Sequence, residues 1–450
     1  MPHLYASKMV FLGELRSMKS SLPTCTAGVP PARGAAAYST QSSLVQRLAR
    51  KAVFKRLNTL RDGCIELVEG AQRTRFGSDQ QSSPSAMVVL DPRLYTRVAF
   101  GGALGAAESY MAGEWECENL SELIRVFIRN SETLSQIQSG LARMARPFLR
   151  AGHWLRDNSP RGSRRNIAAH YDLSNDFFAL FLDETLMYSS AYFERPDMPL
   201  PEASAAKNER LCQMLRLSPG DHLLEIGTGW GGFAIHAAQH HGCRVTTTTI
   251  SKAQHDLAKE RIEKAGLSGK ITLLLEDYRA LQGRFDKVVS IEMIEAVGAK
   301  WLDTFFARCN ALLKPNGAMA LQAITIPDQR FEHHAREVDF IKKYIFPGSC
   351  LPSVARILES TRKCTDFNLA RLEDITPHYA RTLRLWRERF CEKLDLVGNM
   401  GFGERFIRLW NYYLSYCEAG FAERYIGTVQ MLLAKPGWRN DHLSFGRCYL

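Results

Sequence analysis

The chain has 450 residues, a formal net charge of +11 and 45% hydrophobic residues. This length accommodates two globular domains, and no apolar run approaches the ~20 residues of a membrane span. The basic excess favours a polyanionic partner, either nucleic acid or an anionic membrane surface, without choosing between them. The eleven cysteines form no CxxC pair and no metal-ligand spacing, which predicts reduced thiols, no metal and a cytoplasmic location.

The first 43 residues form a basic leader that ends in a Gly/Pro/Ala/Ser-rich stretch. It has no apolar core for a secretory signal, so we expect a disordered leader or codons upstream of Met18. The alternative is an organelle transit peptide. Residues 43–61 alternate apolar and cationic side chains at helical spacing. This pattern predicts a basic amphipathic helix that either lies on an anionic bilayer or docks on the protein with one solvated face.

Residues 44–150 predict a small α+β domain, with short strands at 64–68 and 87–90 and helices at 104–111 and 120–128. A basic linker is expected at 151–165. Seven arginines lie between positions 143 and 165, with Phe148 and Trp154 among them. They fit either contacts with phosphates or a solvated linker.

A third region, residues 166–440, has the pattern of a doubly wound α/β fold. Apolar runs predict parallel strands at 222–226, 244–250, 271–275, 286–291 and 318–324, because strands buried on both faces are continuously apolar. Helices are predicted between the strands at 233–241, 253–265 and 302–313. Further helices at about 333–345, 377–394 and 403–424 predict an insert that covers the acceptor pocket. A last strand at 428–434 is expected to form a hairpin onto the sheet edge.

A glycine-rich turn follows the first strand of this region, with four glycines in the six residues 227–232. Glycine permits a sharp turn and close approach of a ligand to the main chain. The spacing also matches a dinucleotide fingerprint, but the second strand lacks the acidic residue that would bind a ribose. An S-adenosylmethionine site needs no such residue, and Glu225 can hold the ammonium group of the methionine. A turn without any ligand is the remaining alternative.

Several ordered motifs resemble the cyclopropane-fatty-acyl-phospholipid synthases and the related mycolic acid methyltransferases. They are HYDLSNDFF (170–178), YSSAYF (188–193), LLEIGTGWGG (223–232), EDYR (276–279), EMIEAVG (292–298), YIFPGSCLPS (344–353) and PHYARTLRLW (377–386). The resemblance covers about 165–435, and GAAESYMAGEW (105–115) resembles the small N-terminal domain of the bacterial enzymes. It implies an α/β fold with a Rossmann-like class I methyltransferase sheet, a helical insert over the acceptor pocket and a small N-terminal α+β domain.

The resemblance also implies an activity. Enzymes of this family transfer a methylene from S-adenosylmethionine to the cis double bond of an acyl chain, which in the bacterial synthases belongs to an intact phospholipid. The alkene attacks the methyl of the sulfonium, and a base thought to be bicarbonate removes a proton so that a cyclopropane ring closes. A peripheral position on the inner face of the membrane, no nucleic-acid partner and a possible homodimer follow as expectations.

By motif, the bicarbonate ligands would be Ser190, Glu295, Gln322, the backbone amide of Ile324, and Tyr379. The chain departs from the family pattern at three of the matching positions, with Ser190 for a cysteine, Gln322 for a histidine and Ala296 for a histidine. Serine and glutamine still offer neutral hydrogen bonds. A weaker base site would favour a methylene- or methyl-branched chain over a ring.

The S-adenosylmethionine contacts implied by the resemblance are spread over the aromatic segment, the glycine turn and the ends of the next two strands. They are Tyr188, Ser189, Gly227, Gly229, Gly231, Thr249, Gln254, Asp277 and Tyr278, in addition to Glu225.

Four alternative functions can be compared with the sequence. A nicotinamide oxidoreductase conflicts with the missing acidic residue after the second strand. A nucleic-acid methyltransferase would be expected to carry an Asn/Asp-Pro-Pro-Tyr motif, which the sequence lacks. A non-catalytic lipid-binding relative fits the changes at Ser190 and Gln322. A methyltransferase of the same family that makes methyl- or methylene-branched acyl chains is the closest alternative.

Overall fold

The computed structural model describes residues 43–78, 84–135 and 173–439. The interpretations of residues 1–42 and of the arginines at 143–165 lie outside these ranges. None of the helices within them is long and apolar enough to cross a bilayer.

The N-terminal region combines a four-stranded sheet with four helices. In the sheet, β1 pairs with β2 in an antiparallel hairpin and with β3 in parallel, and the strand order is β2-β1-β3-β4. The elements are α1 (Leu44–Leu57), β1 (Cys64–Glu69), β2 (Gln72–Gly77), β3 (Ser85–Val89), α2 (Arg93–Met111), β4 (Trp115–Cys117), α3 (Leu120–Arg129) and α4 (Ser131–Ser135).

The second sheet has seven strands in the order β10-β11-β9-β8-β5-β6-β7. Strands β7, β6, β5, β8 and β9 are mutually parallel, whereas β11 and β10 run antiparallel to their neighbours. The strands are β5 (His222–Ile226), β6 (Arg244–Thr249), β7 (Ile271–Leu275), β8 (Phe285–Ile291), β9 (Leu313–Thr325), β10 (Asn368–Asp374) and β11 (Gly427–Ala434).

Helices cover both faces of this sheet and form a cap beyond its carboxyl edge. They are α5 (Asn175–Phe181), α6 (Leu200–Leu215), α7 (Gly232–His240), α8 (Lys252–Lys264), α9 (Ile294–Val297), α10 (Leu302–Leu312), α11 (Asp328–Arg336), α12 (Val354–Cys364), α13 (Thr376–Glu392), α14 (Leu394–Asn399) and α15 (Glu404–Ala422), with a 3-10 turn at Ala299–Trp301 and a π-helical turn at Ile341–Ile345.

Alternating side chains of the parallel strands supply the two layers of the core. Leu223 and Val289 pack against one set of helices, and Leu224 and Val288 pack against the other. The chain leaves β5 toward β6 and β7 and later returns to β8 on the other side of β5. This reversal makes the carboxyl ends of β5 and β8 a topological switch point, where open α/β sheets place their ligands.

The N-terminal region and the cap share one hydrophobic core, built around α15. Helix α15 packs against α13, α3 and α2, and the shared core includes Leu123, Tyr110 and Trp410. Buried polar pairs cross the same interface, among them Ser121 with Glu418 and Arg408 with Glu116.

The predicted strands and helices of the large sheet are confirmed with small shifts, and three differences matter. Strand β9 begins at Leu313 rather than at position 318. The last strand, β11, lies between β9 and β10 instead of at the edge, so that prediction was wrong. Strands β2 and β10 and helix α12 were not predicted. Helix α1 is docked, since Ala49, Val53 and Leu57 are buried in the core that α2 shares.

Candidate active site

A cavity of about 1020 Å³ lies at the carboxyl edge of the large sheet, under the cap. Twelve of the fifteen predicted site residues line it, namely Tyr188, Ser189, Glu225, Gly227, Gly229, Thr249, Gln254, Asp277, Tyr278, Glu295, Ile324 and Tyr379. The other three, Ser190, Gln322 and Gly231, lie behind its wall. The structure therefore brings most of the predicted site residues together around one cavity.

The glycine turn adopts a backbone that other residues rarely adopt. Gly227, Gly229 and Gly231 have φ angles of 103°, 52° and 84°. The amides of Gly227 and Thr228 both donate to the Thr248 carbonyl, which ties the turn to β6. A Cβ on Gly229 would meet no protein atom within 4 Å, so this glycine leaves space for a ligand against the backbone. Gly231 instead is the N-cap residue of helix α7.

Glu225 lies at the end of β5, with its side chain inside the protein and at the cavity wall. Its Oε2 accepts a hydrogen bond of 2.6 Å from Thr247 Oγ1. Burial raises the pKa of Glu225 to about 8, although Thr247 and the nearby Lys207 ammonium oppose this rise. A cationic ligand group would stabilise the ionised carboxylate, as expected for the ammonium of a methionine.

The ends of β6 and β7 supply the polar groups at the other side of the turn. Thr249 Oγ1 donates to Gln254 Oε1 over 2.9 Å. Asp277 accepts hydrogen bonds from Arg279 Nε and Nη2, and Tyr278 packs edge-on against Phe305. An open backbone cradle, a buried carboxylate and an aromatic wall together fit S-adenosylmethionine. When bound, this group supplies an electrophilic methyl; Glu225, Thr249, Gln254, Asp277 and Tyr278 would hold it.

The residue at the centre of the polar network is Glu292, which the sequence analysis did not select. It directly follows β8, has a left-handed φ of 49° and lines the cavity. Its Oε1 accepts from the Ser190 amide at 2.9 Å and from Gln322 Nε2 at 2.7 Å. Its Oε2 accepts from the Tyr379 hydroxyl at 2.6 Å. Three donors therefore converge on one carboxylate.

A chain of side chains fixes the direction of the Gln322 hydrogen bond. Arg210 Nε can only donate, and it donates to Gln430 Oε1 over 3.0 Å. The Gln430 amide nitrogen then faces Gln322 Oε1 at 2.9 Å, which leaves the Gln322 nitrogen to donate to Glu292. The orientation of both amides follows from the arginine, so Glu292 must accept at Oε1.

Glu295 lies one helical turn further along, at the start of α9. Its Oε1 accepts from the Ile324 amide over 2.5 Å, while Oε2 is buried without a hydrogen-bond partner. Burial, with the neighbouring charge of Glu292 as a second cause, raises the pKa of Glu295 to about 8. Glu295 is therefore mostly protonated at neutral pH.

The five groups that the family resemblance assigns to bicarbonate are all engaged within the protein. Ser190, Gln322 and Tyr379 donate to Glu292, and the Ile324 amide donates to Glu295. The Ser190 hydroxyl turns away and donates to the Ala191 carbonyl. This arrangement does not fit a bicarbonate between the five groups, and we derive no step through one.

Aromatic rings form the wall of the cavity opposite the glycine turn. Tyr379 stacks on Phe421 with ring centroids 4.3 Å apart, and the hydroxyls of Tyr188 and Tyr413 lie 2.9 Å apart. Phe346 also lines the cavity and contacts Tyr188. Such faces stabilise a cation and exclude water, which suits an alkyl substrate that becomes cationic during reaction.

Lys207 of α6 is a second residue that the sequence analysis missed. It is fully buried, and its Nζ donates to Ser189 Oγ over 3.1 Å. Burial lowers the pKa of Lys207 to about 8, against the opposing charges of Glu292, Asp183 and Glu225. Its charge offsets part of the repulsion among these acids. A lysine in an amphipathic helix gives no sign of this position in the sequence.

Comparison with known proteins identifies the family. The family model described as "Mycolic acid cyclopropane synthetase" matches residues 158–431. The chain is 40% identical over 371 residues to "Tuberculostearic acid methyltransferase UfaA1" of Mycobacterium tuberculosis (81% of this chain, 86% of the relative). It is 36% identical over 356 residues to "Cyclopropane-fatty-acyl-phospholipid synthase" of Escherichia coli K12 (79% and 89%).

Solved structures show the same fold. The cyclopropane synthase MmaA2 from Mycobacterium tuberculosis matches 60% of this chain and 98% of its own, with a TM-score of 0.57 and 35% identity. The mycolic acid cyclopropane synthase CmaA1 complexed with SAH and CTAB matches equally well, with a TM-score of 0.57 and 34% identity over the same shares of the two chains. From the matched motifs, the sheet and the cavity, the chain belongs to the mycolic acid cyclopropane synthetase family and is an S-adenosylmethionine-dependent methyltransferase of the cyclopropane synthase type.

Proposed function

We propose that the protein transfers the methyl carbon of S-adenosylmethionine to the cis double bond of an unsaturated acyl chain of a phospholipid, and that proton loss closes a cyclopropane ring. The observation that carries this proposal is the cavity itself. It joins the glycine turn to an apolar, aromatic wall and contains a carboxylate, Glu292, held by three donors. A neutral alkene needs no activating base, whereas the cation that it forms needs aromatic faces and a fixed anion.

The phospholipid as acceptor is supported by the Escherichia coli relative, which is named for that substrate. It also fits a surface of the N-terminal region. At the start of α1, the side chains of Leu44, Val45 and Leu48 are 65%, 54% and 58% exposed, and Arg47 and Lys51 lie beside them. Exposed leucines flanked by cations suit the surface of an anionic bilayer, from which an acyl chain would be drawn.

A methylene-branched product is the second candidate, and the relative named "Tuberculostearic acid methyltransferase" favours a chain without a ring. The routes to the cyclopropane and to the branched chain diverge after the methyl transfer. Prompt removal of a proton from the new methyl closes a ring, whereas a hydride shift before proton loss leaves a methylene branch.

The test is expression in a bacterium whose phospholipids carry cis-monounsaturated chains and which lacks an enzyme of this family. We expect new phospholipid acyl chains with the high-field ring protons of a cyclopropane in the proton NMR spectrum. Cyclopropane and methylene products have the same mass, so NMR must decide. Vinylic methylene protons without ring signals would replace the cyclopropane with the branched product. If free fatty acids were modified while the phospholipids stayed unmodified, the proposal that the acceptor is a phospholipid would be rejected.

A further inference from the structure

We propose that the carboxylate of Glu292 is the proton acceptor of the reaction and occupies the place that bicarbonate takes in the family mechanism. This inference rests on the proposed transfer to an acyl double bond. Three donors that the resemblance assigns to a bound anion, Ser190, Gln322 and Tyr379, instead hold this side chain at 2.9, 2.7 and 2.6 Å. The protein thus carries its own anion at that position.

The protonation of the pair supports the assignment. Burial raises the pKa of Glu292, whereas its three donors and the nearby Lys207 ammonium oppose this rise and favour the ionised form. Glu295, with one donor at Oε1 and its Oε2 without a partner, is the member that keeps the proton. Of this pair, Glu292 is the carboxylate whose ionised form the surrounding donors favour, and it lines the cavity.

The electron count closes without any further reactant. The alkene π pair forms the bond to the transferred methyl carbon, and the electrons of the broken C–S bond remain on sulfur. The second alkene carbon becomes cationic. Glu292 takes a proton from the new methyl, the C–H electrons close the ring, and the proton later passes to water as the product leaves.

The structure also supplies an informative pair of variants. Glu292 has a left-handed φ of 49°, a conformation that glycine adopts freely, so Glu292→Gly keeps the backbone and empties the space between the three donors. Glu292→Gln fills the same space but cannot accept a proton. A small anion in solution can therefore enter the first variant and not the second.

The experiment measures turnover of purified enzyme on vesicles of a cis-monounsaturated phospholipid, in carbon-dioxide-free buffer with and without added bicarbonate. We expect wild-type turnover to be independent of bicarbonate. Glu292→Gln should lower turnover by roughly 10²–10⁴-fold, the usual effect of losing a positioned base. Glu292→Gly should be equally slow and should recover with added bicarbonate or formate, but not with chloride at equal ionic strength.

Calorimetric titration with S-adenosylhomocysteine controls for folding, and both variants should bind it as the wild type does. Wild-type turnover that falls when bicarbonate is removed would overturn the inference, as would full turnover in Glu292→Gln. Failure of anions to rescue Glu292→Gly with intact cofactor binding would also count against it. A wild-type enzyme that modifies no acyl chain in any buffer would instead reject the proposed function.

Discussion

At the scale of single residues, the site concentrates buried charge in a small volume. Glu225, Glu292 and Glu295 line one cavity, and Lys207 lies behind it as a fully buried cation. Burial disfavours every charged form here, and hydrogen bonds decide which acid keeps its charge. Three donors oppose the effect of burial on the pKa of Glu292, whereas Glu295 has one side-chain donor and burial raises its pKa to about 8.

Gly229→Val should abolish binding of S-adenosylmethionine and its demethylated product. The new side chain would project into the cavity at a φ of 52°, where a ligand contacts the backbone. We expect calorimetry to show at least a roughly 100-fold loss of affinity, which corresponds to about 3 kcal/mol.

Gly266→Val is the matched control for this variant. Gly266 has a φ of 69° and open space around it, but it is exposed at the end of α8, away from the cavity. It carries a similar backbone strain without blocking a ligand, so its affinity should equal that of the wild type. Equal affinity in Gly229→Val would reject the placement of the cofactor at this turn.

Stability should fall as pH rises, because burial raises the pKa of Glu295 from about 4.5 in the unfolded chain to about 8 in the folded protein. Between these values the folded state binds the extra proton, so the contribution is complete below pH 4.5 and is lost by about pH 8. For this one group it amounts to up to roughly 5 kcal/mol.

The check is the free energy of unfolding from urea titrations between pH 5 and pH 8, where Glu295→Gln should show a shallower decline than the wild type. Glu225, whose pKa is raised in the same way, should keep part of the slope in the variant. An identical slope in both proteins would show that Glu295 is ionised in the folded state.

The sequence predicted the components of the site but not how they are connected. Glu295 and Tyr379 were selected from motifs, and both line the cavity. Glu292 was passed over because the family motif aligns its glutamate with Glu295. The sequence signal that could have identified Glu292 is an acidic residue directly after the strand that neighbours the strand of Gln322. Strand β9 places Gln322 directly opposite Ile291, the last residue of β8. The side chain of the following residue, Glu292, therefore reaches the Gln322 amide.

At the scale of elements, the predictions held where a regular apolar period exists. Strands β5 and β7 were predicted with their observed bounds, because each is a short and mostly apolar run. Strand β10 was missed because six of its seven residues are exposed, and its sequence has neither a long apolar run nor a regular alternation. The first residues of β9 include Lys314 and Pro315, which hide its start.

Helix α1 should contribute to membrane binding through its exposed end. Replacing Leu44 and Leu48 by serine should reduce sedimentation with vesicles that contain anionic lipid, because these exposed side chains would enter the bilayer surface. Binding of the wild type should weaken with salt, since exposed charges are screened beyond ~10 Å at 0.1 M. Thermal stability should hardly change, because neither leucine belongs to the core.

Leu275→Ser serves as the matched control for these leucines. Leu275 is 48% exposed on the edge strand β7 of the large sheet, so it resembles Leu48 in exposure but not in location. It should leave sedimentation unchanged. Equal binding of the wild type to neutral and anionic vesicles would remove the electrostatic part of the idea.

At the scale of the whole molecule, a buried arginine of the cap forms an ion pair with the N-terminal region. Arg408 of α15 is 1% exposed and binds Glu116 at 2.7 Å and Glu404 at 3.1 Å. Arg408→Ala should cost about 1–3 kcal/mol, because Glu116 and Glu404 lose a hydrogen-bond donor but keep partial access to water.

The measurement is chemical denaturation followed by both fluorescence and circular dichroism. Because the two regions share one core, we expect coincident transitions in the wild type. Arg405→Ala, an exposed neighbour on the same helix, should change the free energy of unfolding little. An Arg408→Ala variant as stable as the wild type would show that the interface does not depend on this pair.

The position of β11 in the sheet has a consequence for the order in which the protein can fold during its synthesis. Strand β11 comes after β9 and β10 in the sequence, yet it separates β9 from β10 in the finished sheet. A nascent chain that contains β9 and β10 but not yet β11 therefore lacks the strand that lies between them in the sheet. Gln430, which orients the Gln322 amide, arrives with that strand. The hydrogen bonds that orient Gln322 toward Glu292 can therefore form only after β11 has been synthesised and inserted.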